Sequence, residues 1–368
     1  VLIETWERWR EDVEREGIRF AAAPEYHVFP TEDRPLKPYE AVRRATVVTR
    51  DLVRAERPDV VVADILTLAP ALAAELEGVP WATLVPHFDP RPAPGLPPFS
   101  VGARLPRTAL GRRFWGLFDP LIGRGLELGR VELNETRRRL GLPPLAHAHG
   151  GISRRLAMVA TFPQLEYARP AGFAPGTHVV GPLLWEPASP DVELPRGDPS
   201  WPVVLLAPST AQDREHRMLR SALAGLADLP VRVLASTNRC RPDDRLPTPP
   251  NARLVDWLSY SRAMPQCDLV VCHVGHGTLA RAMVSGVPLV ACPAAGDMNE
   301  CAARIDWLGA GVRLPRRLIT ARGLRLAVER ALGDPGLTVR ARELAAWATE
   351  QDPAGRAAEL VEDLAARG

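Results

Sequence analysis

Residues Cys267–Cys292 read CDLVVCHVGHGTLARAMVSGVPLVAC. An aspartate precedes a short apolar run, too short for a helix and without the alternation of a half-exposed strand. A loop holding two glycines follows, then a helix-like stretch, then Gly286-Val287-Pro288 and a second apolar run. Glycine ends helices because it accepts a left-handed backbone, and proline opens the segment beyond. The reading is strand–loop–helix–strand. Short strands that are apolar throughout belong in a parallel sheet covered on both faces. Pro58–Val85, PDVVVADILTLAPALAAELEGVPWATLV, repeats the plan from Asp59 through Gly78-Val79-Pro80 to a second apolar run. One βαβ unit in each half predicts an α/β chain of two doubly wound domains with parallel sheets.

Working outward, a helix is expected over Glu7–Glu16. Further strands are expected at Ile18–Ala22, Trp81–Val85, Leu156–Thr161, His178–Val180, Val203–Ala207, Val231–Ala235, Arg253–Val255 and Val287–Cys292. Trp185–Trp201, WEPASPDVELPRGDPSW, is rich in Pro, Asp and Ser and has neither period, so it reads as a linker. The expected division is a first Rossmann-like domain over residues 1–185, a linker over 186–201, a second Rossmann-like domain over 202–338, and a helical segment over 339–368 broken near Pro353. Pro90–Pro98 is a proline-rich loop, and Leu110–Glu132 looks helical. A length of 368 residues suits two domains of about 150–200 residues each.

Composition narrows the function. With 46% hydrophobic and 24% charged residues, whole-chain disorder and collagen-like repeats are excluded. Against 46 basic residues stand 44 acidic ones, without a basic stripe, which argues against a nucleic-acid partner. Lys37 is the one lysine, all other basic residues being arginine, and Pro numbers 38; this is the mark of a GC-rich genome rather than of a mechanism. No apolar run reaches the roughly 18 residues of a membrane span. The chain begins VLIETWERWREDVEREG, without Met and without a signal-like apolar stretch. Cys240, Cys267, Cys272, Cys292 and Cys301 are few and odd in number, which fits a reducing cytoplasm rather than a disulfide framework.

Ligands of doubly wound sheets bind beyond the carboxyl ends of the strands. Asp64 and His273 fall there, at the same spacing from Asp59 and Asp268. Asp64 read alone is equally a cap for the next helix. In His273-Val274-Gly275-His276-Gly277-Thr278, Gly275 and Gly277 allow close backbone approach, and Thr278 stands at a helix start whose exposed N–H groups suit a phosphate. Neither a Walker loop nor a dinucleotide fingerprint is present. Cys272, His273 and His276 raise a zinc site, but a fourth ligand at standard spacing is missing. Asp297 and Glu300, after an apolar strand, suit sugar hydroxyls or a helix cap. Ser209 and Thr210, after Val203–Ala207, suit a phosphate or an N-cap. His87, after Trp81–Val85, lines an acceptor cleft or is a satisfied loop histidine. His27, His147, His149, His178 and His216 read as surface or loop residues.

Cys272–Gly311, CHVGHGTLARAMVSGVPLVACPAAGDMNECAARIDWLGAG, resembles the donor loop of family-1, GT-B-fold glycosyltransferases of actinomycete type. The pattern is a His, a Gly-rich turn with Gly-Thr, then Gly-Val-Pro, Pro, an acidic-polar pair and a glycine. WREDVEREGIRF, LNETRRRLGLPP, ATFPQLEY, HVVGPLLWEP, APSTAQD and LVDWL extend the likeness more weakly along the chain. The resemblance implies that His273, Thr278, Ser209 and Thr210 contact the donor diphosphate, that Trp257 faces the nucleotide base, and that Asp297 holds sugar hydroxyls. Asp64 matches the carboxylate that orients a histidine base. It implies inverting, metal-free transfer of a hexose or deoxyhexose from a UDP- or dTDP-linked sugar to a hydroxyl of a small apolar acceptor. The nucleotide-sugar is then a cosubstrate and no further cofactor is expected.

Arg281, Met298 and Cys301 depart from the family's usual Glu, Gln and Asn. The strand, Gly-rich loop with the catalytic His, and helix that open the family are missing from this sequence, whose first residues match the stretch just after them; a misplaced start and a real truncation both fit. Two other readings compete. A catalytically impaired relative would bind nucleotide-sugar or stabilise a partner enzyme. A nucleotide-sugar epimerase would share the architecture, but Pro90–Pro98 and the helix after it look like acceptor-side walls. A second copy of the chain or an auxiliary protein is a further candidate partner.

Overall fold

The computed structural model describes residues 1–26, 38–187, 192–209, 213, 215–240 and 245–368. The first half runs β1 (Leu2–Thr5), α1 (Arg10–Arg15), β2 (Arg19–Ala22), α2 (Pro38–Glu56), β3 (Val61–Asp64), α3 (Leu68–Leu76), β4 (Trp81–Val85), α4 (Ala109–Gly116), α5 (Asp119–Arg139), β5 (Ala157–Val159) and β6 (Thr177–Val179). The second half runs β7 (Val203–Ala207), α6 (Arg217–Leu226), β8 (Arg232–Ser236), β9 (Ala252–Val255), α7 (Tyr260–Ala263), β10 (Leu269–Cys272), α8 (His276–Val284), β11 (Leu289–Ala291), α9 (Asp297–Leu308) and β12 (Gly311–Arg313). It closes with α10 (Ala321–Leu332), α11 (Pro335–Glu350) and α12 (Pro353–Arg367).

The second sheet has the order β12-β11-β10-β7-β8-β9, and its pairs are parallel. β7 is central, and the strand order reverses beside it, between β7 and β10. Its five residues and those of β10 are buried, as a sheet covered on both faces requires. Helix α8 ends at Gly286, φ +70, where Val287 turns back into β11. Gly78, also at φ +70, does the same between α3 and β4.

The first half differs from the single sheet expected of it. β3-β4-β5-β6 form one parallel sheet, and β1-β2 form another. β3 and β4 are the counterparts of β10 and β11 in the repeated segments. In the second sheet β7 pairs with β10 on one side and β8 on the other. Among the described residues, the matching edges of β3 and β1 are unpaired, and Val62 on β3 is 43% exposed. The two part-sheets are tied through α2. Thr49 Oγ1 donates to Glu4 Oε1 on β1 at 2.9 Å, while Arg54 and Arg50 hold Glu77 beyond α3.

The carboxyl end of the chain also corrects the expected division. Residue 339 is not a boundary, because α11 begins at Pro335 and packs on α8. After the break at Pro353, α12 crosses to the first half, where Ala357 and Leu364 join Ala82, Leu156, Met158 and Val180 in one core.

Between the halves the core is continuous. Phe88, Phe162 and Leu165 of the first half belong to the same buried cluster as Leu279, Met283 and Ile305 of the second. At its centre lies Arg304 on α9, 4% exposed. Its guanidinium meets Glu300 at 2.9 Å, Glu166 at 3.0 Å and the Leu165 carbonyl at 2.8 Å. Phe88 and Tyr167 cover its two faces, with centroids at 4.2 and 4.0 Å. Removing one member of such a buried set leaves the others charged and dry. Arg304→Met should therefore lower the stability measured by urea unfolding by about 3–5 kcal/mol. A loss below about 1 kcal/mol, the range of an exposed pair, would show that Arg304 does not hold the halves together.

Candidate functional site

Of the residues singled out from sequence, Ser209 and His273 meet where β7 and β10 pass into α6 and α8. His273 follows β10. Its Nδ1 accepts the Ser209 N–H at 2.9 Å, so the ring proton lies on Nε2 and points to Asp213 Oδ2 at 3.3 Å. Asp213 also accepts the N–H groups of Arg217 and Met218 at the start of α6. Burial opposes ionisation of Asp213, but the bonds from His273, Met218 and Arg217 hold its carboxyl down to about 2. His273 is thus a tie between two loops, with both ring nitrogens engaged. Asp213 lies within the quoted APSTAQD but was not singled out, since its three partners come together only in space. Thr210 lies outside the described residues.

The backbone between His273 and α8 turns at Val274, φ +57, which is fully buried. A β-branched residue there stores about 1–3 kcal/mol of strain. The glycines beside it do not use positive φ. Gly275 caps α8 with φ −56, and Gly277 lies exposed in the first turn. A Cβ on Gly277 would meet nothing within 4 Å, and one on Gly275 would meet Met298 Cε at 4.0 Å. Met298 is the second residue of α9, so the N-termini of α8 and α9 converge. Thr278 and Asp297 stand in these two first turns, each partly exposed. Gly296, at φ +55, starts α9 in that direction.

Trp257 follows β9. Arg239 lies over its ring at 4.5 Å, and its Nε1 is buried without a hydrogen-bond partner among the described residues. Asn238 fixes the Arg239 turn, donating to the Pro208 carbonyl and to Tyr260 Oη at 2.6 and 2.7 Å. Arg239 carried no signal in the sequence, because its place depends on this buried network. Glu300 does not face this site; it is buried against Arg304. Arg281, where the family usually has Glu, lies 3.8 Å from Glu186. Glu186 also binds the Ser259 and Ser261 hydroxyls and the Ser261 N–H, clipping the linker to α7. Cys301 is fully buried in the core.

From the first half, Asp64 ends β3. Its Oδ1 accepts the Leu66 N–H at 2.7 Å and so shapes the turn before α3, but it is not the helix cap weighed from sequence, since Thr67 holds the N-cap position and α3 has no side-chain cap bond. His87 follows β4, stacks on Phe99 at 5.2 Å and donates from Nδ1 to the Phe88 carbonyl at 2.7 Å, which leaves Nε2 as the basic nitrogen. Thr161 follows β5 and shares a 2.9 Å hydrogen bond with His276, whose ring also meets Phe88 edge-on at 5.2 Å. The carboxyl edge of the first sheet therefore abuts the N-terminus of α8. Cys272, His273 and His276 point to separate partners. Among the described residues no group of three or more His, Cys, Asp or Glu is placed to hold a metal. All five cysteines are free, and no helix among the described residues is long and apolar enough to cross a membrane.

Comparison with known proteins bears on this arrangement. Residues 220–366 match the family described as erythromycin biosynthesis protein CIII-like, C-terminal domain. The 4'-demethylrebeccamycin synthase of Lentzea aerocolonigenes is 33% identical over 321 residues, covering 83% of this chain and 74% of the relative. Among solved structures, the glycotransferase of kitacinnamycin superposes with a TM-score of 0.76 at 20% identity, over 99% of this chain and 91% of its own. The glycosyltransferase VinC, solved in complex with DTDP, superposes with a TM-score of 0.67 at 19% identity, over 100% of this chain and 92% of its own.

The contact between His276 and Thr161 carries a pH signature. Burial, and then the charges of His87 and Arg304, lower the His276 pKa to about 3. An unfolded histidine takes a proton below about 6.5. Between those values the unfolded chain binds a proton that the folded chain refuses, so stability falls with falling pH, by up to ~1.4 kcal/mol per unit. Melting temperatures from about pH 7 to about pH 4 should decline less steeply in His276→Gln than in the wild type. Parallel curves would mean that His276 is not the group responsible.

Proposed function

This chain belongs to the GT-B glycosyltransferases of natural-product biosynthesis, enzymes that transfer sugars, and from that premise we propose a donor, a reaction course and residue roles. The donor is a UDP- or dTDP-linked hexose or deoxyhexose, and the acceptor is a hydroxyl of a small apolar molecule. The observation that carries the reading is the convergence of the α8 and α9 N-termini around Gly275, with Gly277 open to solvent. First-turn N–H groups at the positive ends of two helices suit a diphosphate; on α9 those of Met298 and Asn299 already donate to the Ala295 and Gly296 carbonyls, so α8 is the main donor. That VinC was solved with DTDP is in keeping with this.

In this reading the diphosphate lies on the first turns of α8 and α9, with Thr278 and the loop at Ser209 beside it. His273 acts by holding that loop. Asp297 takes sugar hydroxyls, and the base lies against Trp257. The acceptor oxygen attacks the anomeric carbon from the side of the first sheet. The bond to the diphosphate breaks, its electron pair passing to the departing phosphate oxygen, and the configuration inverts. Fixed amide dipoles meet that charge without reorganising, so the step requires no metal and no cofactor beyond the cosubstrate. Asp64 is the carboxylate that would orient the family's histidine base, which none of the described residues supplies, while His87 lines the acceptor side.

Two variants separate donor binding from chemistry. Gly277→Ala adds a methyl in open space within a helix, so its melting temperature should hold or rise. Its affinity for dTDP or UDP should fall about tenfold, ~1.4 kcal/mol. Unchanged affinity would remove the diphosphate from this turn. Asp64→Asn should retain nucleotide binding and lose about 10²–10⁴ in kcat with an active sugar–acceptor pair. Nucleotide binding without turnover in the wild type would favour the impaired-relative reading instead.

A further inference from the structure

The hairpin α4–α5 does not join the core. No residue of α4 is buried, and none of α5 before Thr136. The far end of α5 is held down, with Arg137 bonding Glu75 at 2.6 Å through two nitrogens. At the corner between the helices Phe114, Trp115 and Phe118 form a mutual cluster with centroids 5.5 Å apart. Leu110, Leu117 and Leu121 around it are 78%, 75% and 68% exposed. Arg107, Arg112, Arg113 and Arg124 are exposed on the same segment and make no ion pair among the described residues. Between residues 101 and 126 the one acidic residue is Asp119.

We propose that this hairpin docks on an anionic lipid surface, the aromatic corner entering the headgroup–acyl boundary while the arginines pair with headgroups. Isolated apolar residues on a surface need no explanation, but a contiguous aromatic and leucine cluster ringed by unpaired cations does. Arginine stems lie along apolar surface with their heads in the polar layer, and aromatic rings favour that interface. Charge complementarity decides the occupant. A second copy meeting this face by two-fold symmetry would oppose arginine to arginine. A bilayer supplies an apolar layer and negative charge together, and demands no matching shape from a hairpin that stands off the body.

The test is flotation of the full chain with vesicles of phosphatidylcholine alone and of phosphatidylcholine mixed with phosphatidylglycerol. The chain should float with the mixed vesicles and not with the neutral ones. Arg112→Gln with Arg113→Gln should weaken partitioning about 30-fold, at ~1 kcal/mol for each arginine. Leu117→Ser with Leu121→Ser should abolish it. Should a double variant fail to fold, brominated lipid gives a second reading: it should quench wild-type tryptophan fluorescence, and Trp115→Phe should lose that quenching. Absence of flotation by the wild type, or flotation unaffected by the variants, overturns the proposal. So does a lipid-free dimer that Leu117→Ser with Leu121→Ser dissociates, which would make the face a contact between copies. None of these readouts depends on sugar transfer.

Discussion

A buried guanidinium must have its charge answered in place, and Arg304 receives that answer from both halves of the chain. Glu300 comes from its own helix; Glu166, the Leu165 carbonyl and the faces of Phe88 and Tyr167 come from the first half. Glu166 passes the constraint on by accepting the Asp89 N–H at 2.7 Å, just beyond His87 and Phe88. The loop after β4 is therefore fixed relative to α9. Because Phe88 also packs on His276, the same contact sets how the first sheet's carboxyl edge meets α8. Two sheets that could each turn independently are held at one angle by an ion cluster that tolerates little displacement.

The halves are unequally supported. β7 stands between β8 and β10, so the loop carrying Ser209 and the loop carrying His273 leave neighbouring strands. Asp64 leaves β3, whose other edge is unpaired among the described residues. A carboxylate at the end of an edge strand is steadied mainly by its own turn, and the Leu66 N–H provides that. The α12 helix offsets part of the difference, closing the first sheet's core from the far end of the chain. The second half is thus the more rigid platform, which suits the ordering of many donors around one anion.

Much of this was legible because it is local. The repeated Asp, apolar run and Gly-Val-Pro located β3, β4, β10 and β11, since helix ends and buried parallel strands carry their own residue types. The candidate residues on loops after those strands followed from topology alone. What escaped reading depends on residues far apart in sequence. Leu2–Thr5 is a strand only through its pairing with Arg19–Ala22. Arg304 and Glu166 look like ordinary surface charges until 138 residues of separation are folded away. Glu300 seemed as good a ligand as Asp297; its pairing with the buried Arg304 draws it inward. The strain in the loop was also invisible, since its left-handed residue is Val274 rather than a glycine.

That displacement of strain has a chemical sense under the proposed reading. His273 is spent on Ser209 and Asp213, and His276 on Thr161. The side chains with the most obvious chemistry therefore position the loop, and its open face consists of backbone. An amide at a helix end keeps its dipole whatever the pH, needs no proton exchange and carries no counterion. A charged side chain in its place would attract the diphosphate before and after transfer alike. Amides fixed by a strained, buried Val274 instead cost nothing to orient when charge develops on the departing oxygen. Gly277 then matters for what it lacks: with no side chain, and nothing within 4 Å of where a Cβ would stand, the turn stays open to a phosphate.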